Sequence, residues 1–499
     1  MTSLSSGRDS MTPFPTARVQ SLNTAPVRQD RDFVLYWMIA ARRAAWSFSL
    51  DRAVDRAAEL GKPLVILEAL RVGYPWASDR IHRFILDGMA DNARRLRNAP
   101  VLYYPYVETG HGQGRGLLEA LAENACVIVT DAFPAFFLPR MTRAAAARLD
   151  IFLEQVDGNG ILPLDETDRA FPTAHAFRRY LQKRLPEHLG QSPRRDPFQG
   201  VRLARMENLP HAILRRWPAA SEALLKGEAR ALQRLPLDHS VEIVDLKGGT
   251  TQAEHLLGVF LEERIDRYSA EHNQPEAEVT SGLSPYLHFG HISAHEVVGK
   301  ALEQRAWSPK RLAVKATGSR TGWWGLDEDA EAFLDQIITW RELGYTFCQH
   351  REDYDQYASL PDWARKTLEE HASDPRVHTY ELEDFQMAAT HDPLWNAAQG
   401  QLLREGRIHN YLRMLWGKKV LEWTPDPRRA LEIMIELNNR YSLDGRDPNS
   451  YSGIFWVLGR FDRAWGPERP IFGKIRYMSS QNTARKLHVK DYVEAYAPY

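Results

Sequence analysis

Cysteine is nearly absent from this chain of 499 residues: only Cys126 and Cys348 occur, far apart and outside any CxxC or Cys/His cluster. That excludes a disulfide framework and a zinc site; no metal is expected, and a reducing, cytoplasmic setting is. Long hydrophobic runs are missing too. None approaches the roughly 20 residues of a membrane span, and the N-terminus lacks the apolar core of a signal peptide, so a soluble protein with no membrane partner is expected. Nor is there an excess of one charge: 64 Lys and Arg stand against 65 Asp and Glu, which by itself gives no reason to expect a polyanionic partner. The balance is uneven along the chain, however. Residues 401–499 hold 17 Lys and Arg against 11 Asp and Glu, so phosphates would dock at that end.

The length exceeds one ordinary core and predicts at least two domains. Residues 1–31, rich in Ser, Thr, Pro and Arg, read as a loosely ordered tail. From 32 to 185, short apolar runs at 33–37, 63–67, 101–104, 126–129 and 151–156 alternate with helical patterns at 50–60 and 79–96. This βαβ rhythm predicts an α/β domain of Rossmann type, a parallel sheet with helices on both faces. Residues 186–245 hold prolines and arginines with little periodicity and read as an inter-domain linker. From 246 to 499 strand signals fade and helical patterns follow one another, which predicts an all-α second domain. The Gly110-His-Gly-Gln-Gly-Arg-Gly116 stretch does not match G-x-G-x-x-G and is read as a flexible loop.

Two groups of residues in the helical half suggest chemistry. Trp416 and Trp423 are seven apart, two turns of one helix, so their indoles share a face; a second helix could bring Trp395 alongside. Aromatic residues at such spacing are ordinarily core. The second is Thr280-Ser-Gly-Leu-Ser-Pro-Tyr-Leu-His-Phe-Gly290, whose hydroxyls and free N–H groups could cradle an anion or simply cap a helix.

That segment resembles the flavin-phosphate element of the photolyase/cryptochrome family, and Trp340-Arg-Glu-Leu343 resembles its Trp-Arg-Glu-Phe element. His391-Asp-Pro-Leu-Trp-Asn-Ala397, Arg413-Met-Leu-Trp-Gly-Lys-Lys-Val-Leu-Glu-Trp423, Leu443-Asp-Gly-Arg-Asp-Pro-Asn449 and Phe472-Gly-Lys-Ile-Arg-Tyr-Met478 are similar to class II photolyases, which repair cyclobutane pyrimidine dimers in DNA. Val34-Leu-Tyr-Trp-Met38 and Glu59-Leu-Gly-Lys-Pro-Leu64 extend the likeness to the N-terminal half. The resemblance implies a helical domain holding FAD in a bent form and an α/β domain able to hold an antenna pigment, a deazaflavin or a folate. It implies that Tyr268, Thr280, Ser281, Gly282, Leu283 and Ser284 contact the FAD phosphates and ribityl chain, that Asn438 faces flavin N5, and that Arg413 pairs with Asp444 beside the ring. Trp416, Trp395 and Trp423 would conduct an electron to the flavin, with Trp423 the surface exit. Glu342, Met414, Trp456, Arg463, Trp465 and Arg476 would hold the substrate. Excited FADH⁻ would pass an electron to the dimer and recover it, while a protonated Glu342 stabilised the radical anion; a structural role for Glu342, as partner of Arg341 or Arg413, is the alternative. A monomer is assumed, since repair needs one flavin.

The sequence also departs from that pattern. Trp456-Val-Leu-Gly-Arg-Phe-Asp462 is one residue short, with Phe461 where the family has His; the stretch after Tyr477 lacks the usual Gly-Cys-Lys; Gly417 replaces an Ala; and Gly318–Gly325 looks like an insertion. The changes fall mainly on the DNA side, so a cryptochrome-type photoreceptor without repair activity is the second reading.

Overall fold

Phe33–Met38 is buried at all six positions, the mark of a strand covered on both faces, and its alternate side chains enter two separate cores. The computed structural model, which describes residues 14–498, sets it at the centre of a six-stranded sheet. The strands are β1 (Val19–Ser21), β2 (Phe33–Met38), β3 (Leu64–Leu70), β4 (Val101–Val107), β5 (Ala125–Asp131) and β6 (Leu153–Val156), in the order β1-β6-β5-β2-β3-β4. All neighbours are parallel except β1, which runs antiparallel to β6. Among the described residues every named strand precedes residue 157 and the remainder is helical or irregular, so the expected α/β and all-α halves are both present. No described helix is long and apolar enough to cross a membrane.

Two stretches differ from their sequence reading. Residues 1–13 of the expected tail lie outside the described residues, but from residue 14 on the chain belongs to the fold. β1 closes one edge of the sheet, and Arg18 is 2 % exposed, its guanidinium donating to the carbonyls of Asp157, Gly160 and Ile161. The 186–245 stretch, expected to be a linker, is a packed belt: Ile213 and Trp217 cover one face of the sheet, while Leu224, Leu232 and Leu235 join the core of the helical half. Its apolar residues are buried one at a time by neighbouring elements, which leaves no helical or strand period to read.

The helical half docks on the carboxyl ends of the strands. Asp131, ending β5, accepts the backbone N–H groups of Ile39, Ala40 and Ala41 after β2. Arg43 then donates to the carbonyl of Gly290 at 3.0 Å. A Cβ at Gly290 would stand 1.9 Å from the carbonyl oxygen of Ala40, and its φ is +71°, so glycine is what permits this approach.

Candidate functional site

A cavity of about 890 Å³ opens among the helices, near the upper end of the roughly 300–1,000 Å³ usual for small-molecule and cofactor sites. Its wall contains Tyr268, Thr280, Ser281, Gly282, Leu283, Ser284, Arg413 and Asp444, so these eight expected cofactor contacts meet although up to 176 positions separate them. Gly282 has φ +67°, turning the chain into the short Ser284–His288 helix, with Pro285 in its first turn. Ser284 and Ser442 both donate their hydroxyls to Asp444, and Arg413 reaches its two oxygens at 3.2 and 3.4 Å. Burial alone would raise the Asp444 carboxyl; Arg413 and the two hydroxyls outweigh it and hold the group below its usual range. Asn438 stands one hydrogen bond behind the wall: its amide donates at 3.2 Å to Ser450, which lines the cavity and also accepts from Arg413.

The donor set fits a flavin dinucleotide. Hydroxyls of Thr280, Ser281 and Ser284 and the guanidiniums of Arg264, Arg407 and Arg413 provide for phosphates, while Leu283, Leu287, Phe333, Ile337 and Trp340 provide apolar wall for ring systems.

Behind Arg413 the three tryptophans form a file. The Asn410–Trp423 helix carries Trp416 three residues after Arg413, on the same face. Trp416 stacks on Trp395 with centroids 6.3 Å apart and planes 5° apart; Trp395 meets Trp423 at 6.0 Å and 66°. Trp395 is held in register by Asp392, which caps the Pro393–Glu405 helix, and by its indole N–H on the carbonyl of Trp416. The indole of Trp416 donates to Gln399 at 3.0 Å. The expected surface exit needs correction in one respect: Trp423 is only 3 % exposed, lying under His391 and Tyr380 at 4.9 and 5.7 Å.

On the outer side, Trp456 is half-buried and stacks on Trp340, centroids 4.8 Å apart and planes 19° apart. Trp340 lines the cavity and went unassigned in the sequence reading, although its motif had been singled out. It closes a π-helical turn, Asp335–Trp340, whose extra residue re-aims the side chains of the helix that follows. Met414 is half-buried next to Arg413. Trp465 lies between two exposed cations, with Arg463 at 4.7 Å and Arg476 at 5.1 Å from its ring centre, and its N–H is fixed by Asp462 at 3.1 Å.

Glu342 does not join this group. It is 4 % exposed at the seam of the two halves, where its carboxylate accepts the N–H groups of Ile161 at 2.7 Å and Leu162 at 3.2 Å, with Arg341 and Arg18 nearby. Burial pushes its pKa up to about 7 against those partners. Its oxygens are engaged with the backbone, so the structural alternative describes it, with the 161–162 loop rather than Arg413 as partner.

Gly417 also finds its reason here. A Cβ there would meet Val457 Cγ2 at 2.6 Å, so the missing methyl lets the tryptophan-bearing helix press against the Pro448–Val457 helix that presents Trp456.

No family model matches the chain. Curated relatives do. A deoxyribodipyrimidine photo-lyase of Methanothermobacter thermautotrophicus is 34 % identical over 478 residues, covering 96 % of this chain and 97 % of that protein. The photo-lyases of Arabidopsis thaliana and Potorous tridactylus are 31 % and 30 % identical, each over 94 % of this chain and over 89 % and 82 % of their own lengths. Among solved structures, a class III photolyase from Agrobacterium tumefaciens aligns with TM-score 0.64 at 17 % identity, over 93 % of this chain and 86 % of that one. A cryptochrome from Synechocystis aligns with TM-score 0.65 at 13 % identity, over 93 % and 88 %; both show likeness of fold.

Proposed function

The chain belongs to the deoxyribodipyrimidine photo-lyase family, and from that premise we propose that it repairs cyclobutane pyrimidine dimers in DNA by light-driven electron transfer, as an FAD enzyme of class II type. The observation that carries the reading is the convergence of the Thr280–Ser284 segment, the Arg413–Asp444 pair and the Trp340–Trp456 stack on one cavity, with Trp416, Trp395 and Trp423 in file behind it.

Bound FAD, reduced and excited by light, would supply the electron that splits the dimer and take it back, with no net redox change. The protein's own part is positioning and insulation. Hydroxyls of the 280–284 segment and nearby arginines hold the phosphates, and Arg413, fixed by Asp444, sets a positive charge where an anionic ring needs one. The Asn438 amide suits flavin N5, since it can donate or accept. Trp416, Trp395 and Trp423 form a route by which an oxidised cofactor is recharged. Trp456, Trp340 and Met414 offer an apolar wall for a dimer flipped out of the duplex, which costs less than flipping intact bases because a dimer stacks and pairs badly. Arg463, Trp465 and Arg476 face the strand, their cations meeting phosphates.

The same reading includes an antenna pigment, a deazaflavin or folate, at the carboxyl ends of β5 and β6. There a cleft of about 530 Å³ is walled by Phe133, Phe136, Arg140, Arg143 and Tyr354. It also retains 32–185 as the antenna domain, 246–499 as the catalytic domain, and a monomeric enzyme.

The test is recovery of intact thymines from a dimer-containing oligonucleotide by the purified, reduced protein. Recovery under near-UV or blue light and none in darkness supports the function. Bound, photoreducible flavin without light-dependent recovery overturns it.

A further inference from the structure

The insertion that interrupts the family likeness lies within a connection between the Ala294–Gln304 and Glu328–Leu334 helices. From residue 305 to 326 this connection carries Arg305, Lys310, Arg311, Lys315 and Arg320 and neither Asp nor Glu. It is not a loose strand of chain. Trp323 and Trp324 are buried at its base, 5.0 Å apart, and Trp307 donates its N–H to the carbonyl of Trp324. Gly318 is buried at φ +80° against the Ala174–Arg184 helix, where a Cβ would meet His175 and Arg179 at 3.0–3.2 Å. Gln182 clamps this turn from the same helix, accepting from the N–H of Gly318 at 2.7 Å and donating to the carbonyl of Ser319 at 3.0 Å.

Lys315 and Arg320, on either side of that anchored glycine, are exposed, as are Arg179 and Lys183 on the helix beneath. None of the four makes an ion pair or a side-chain hydrogen bond among the described residues. The nearby carboxylates are committed elsewhere: Asp335 to Arg178, Asp327 to Arg305, Glu331 to the backbone of Gly322 and Leu326. Beside Lys183, Glu166 and Glu187 are held by Arg184, and Glu328 is exposed with no ion pair among the described residues.

The helix also fixes where this basic surface leads. Thr173, its N-cap, pairs in parallel with Phe461, two residues before Arg463. Arg179 lies six helical residues further on, about 9 Å at 1.5 Å per residue. The turn around Gly318 is thus seated on a helix whose N-terminus adjoins the Phe461 segment that runs on into Arg463.

We propose that Arg179, Lys183, Lys315 and Arg320 form a second phosphate track that grips the backbone of double-stranded DNA beside the lesion. The proposal rests on the repair function above and adds to it a contact that reads duplex charge, not damage. Exposed cations without partners lose no ion pair when a phosphate arrives, and each phosphate they neutralise releases condensed counterions.

Replacing Arg179, Lys183, Lys315 and Arg320 together by alanine tests it, with fluorescence anisotropy on long duplexes, damaged and undamaged, across a salt series. Affinity for both duplexes should fall by the same factor, and the slope of log K against log salt should become shallower by roughly 3.6, ~0.9 for each of four contacts. Flavin content and the light-driven repair rate at saturating DNA should stay as in the unaltered protein. A charge-keeping variant, Lys183→Arg with Lys315→Arg and Arg320→Lys, should retain the original slope. An unchanged slope in the alanine variant, or a slope lost in the charge-keeping one, overturns the track. An unaltered protein that repairs nothing sinks the function instead; the track is then judged on the same slopes with undamaged duplex.

Discussion

The Arg413–Asp444 pair and the Arg463–Trp465–Arg476 cluster are two ways of holding a guanidinium. In the cavity wall the charge is matched inside the protein: the Arg413 and Asp444 side chains are 16 % and 13 % exposed, and two serine hydroxyls complete the carboxylate. On the outer loop the two arginines rest on an indole face and keep their charge facing solvent, with no carboxylate bound among the described residues. On the proposed function, the inner pair would fix geometry for a resident cofactor, and the outer cluster would keep its charge for a DNA strand that comes and goes.

The deepest cut in that comparison is Asp444→Asn. It leaves Arg413 without its counter-ion in a mostly buried place, a loss on the order of 3 kcal/mol, so flavin content per mole of purified protein should drop sharply. Full flavin occupancy in the variant would remove Asp444 from the cofactor wall. Trp423→Phe separates recharging from repair: photoreduction should stop while chemically reduced enzyme still repairs, and unchanged photoreduction would take Trp423 out of the route. Trp456→Ala acts only on the outer side, and binding to dimer-containing DNA should weaken by roughly 1–3 kcal/mol with flavin intact. Equal affinity would exclude it from the lesion pocket. Gly417→Ala should have the smallest effect, a net loss of about 1 kcal/mol in unfolding titrations, as a clash with Val457 outweighs the helix propensity gained. A more stable variant would mean that the two helices are not in tight contact.

Legibility in the sequence followed burial. β2 to β6 could be read because strands covered on both sides leave unbroken apolar runs, as in Ala125–Asp131, buried throughout. β1 could not: it has three residues, two of them exposed, at a sheet edge. In the site, the spacing of Trp416 and Trp423 was visible on one helix, while the meeting of Arg413 with Asp444 depended on family likeness, because no local period links residues 31 apart. Glu342 went wrong for a directional reason. A motif gives neighbours in sequence, and the π-helical turn ending at Trp340 leaves that indole facing the cavity while Glu342, two residues later, faces the 161–162 loop of the other half.

Arg18 gives the N-terminal region a weight its composition conceals. Its guanidinium ties β1 to the same 160–161 loop on which Glu342 closes from the opposite half, with Asp157 3.7 Å away. A shortened chain beginning at residue 32, where the Ser- and Pro-rich stretch ends, would strip the sheet of one edge, take from Asp157 the cation 3.7 Å away and leave Glu342 with Arg341 alone beside it. Shortening that spares Arg18 and β1 would not touch this keystone, so for expression or tagging the natural starting point lies upstream of residue 14.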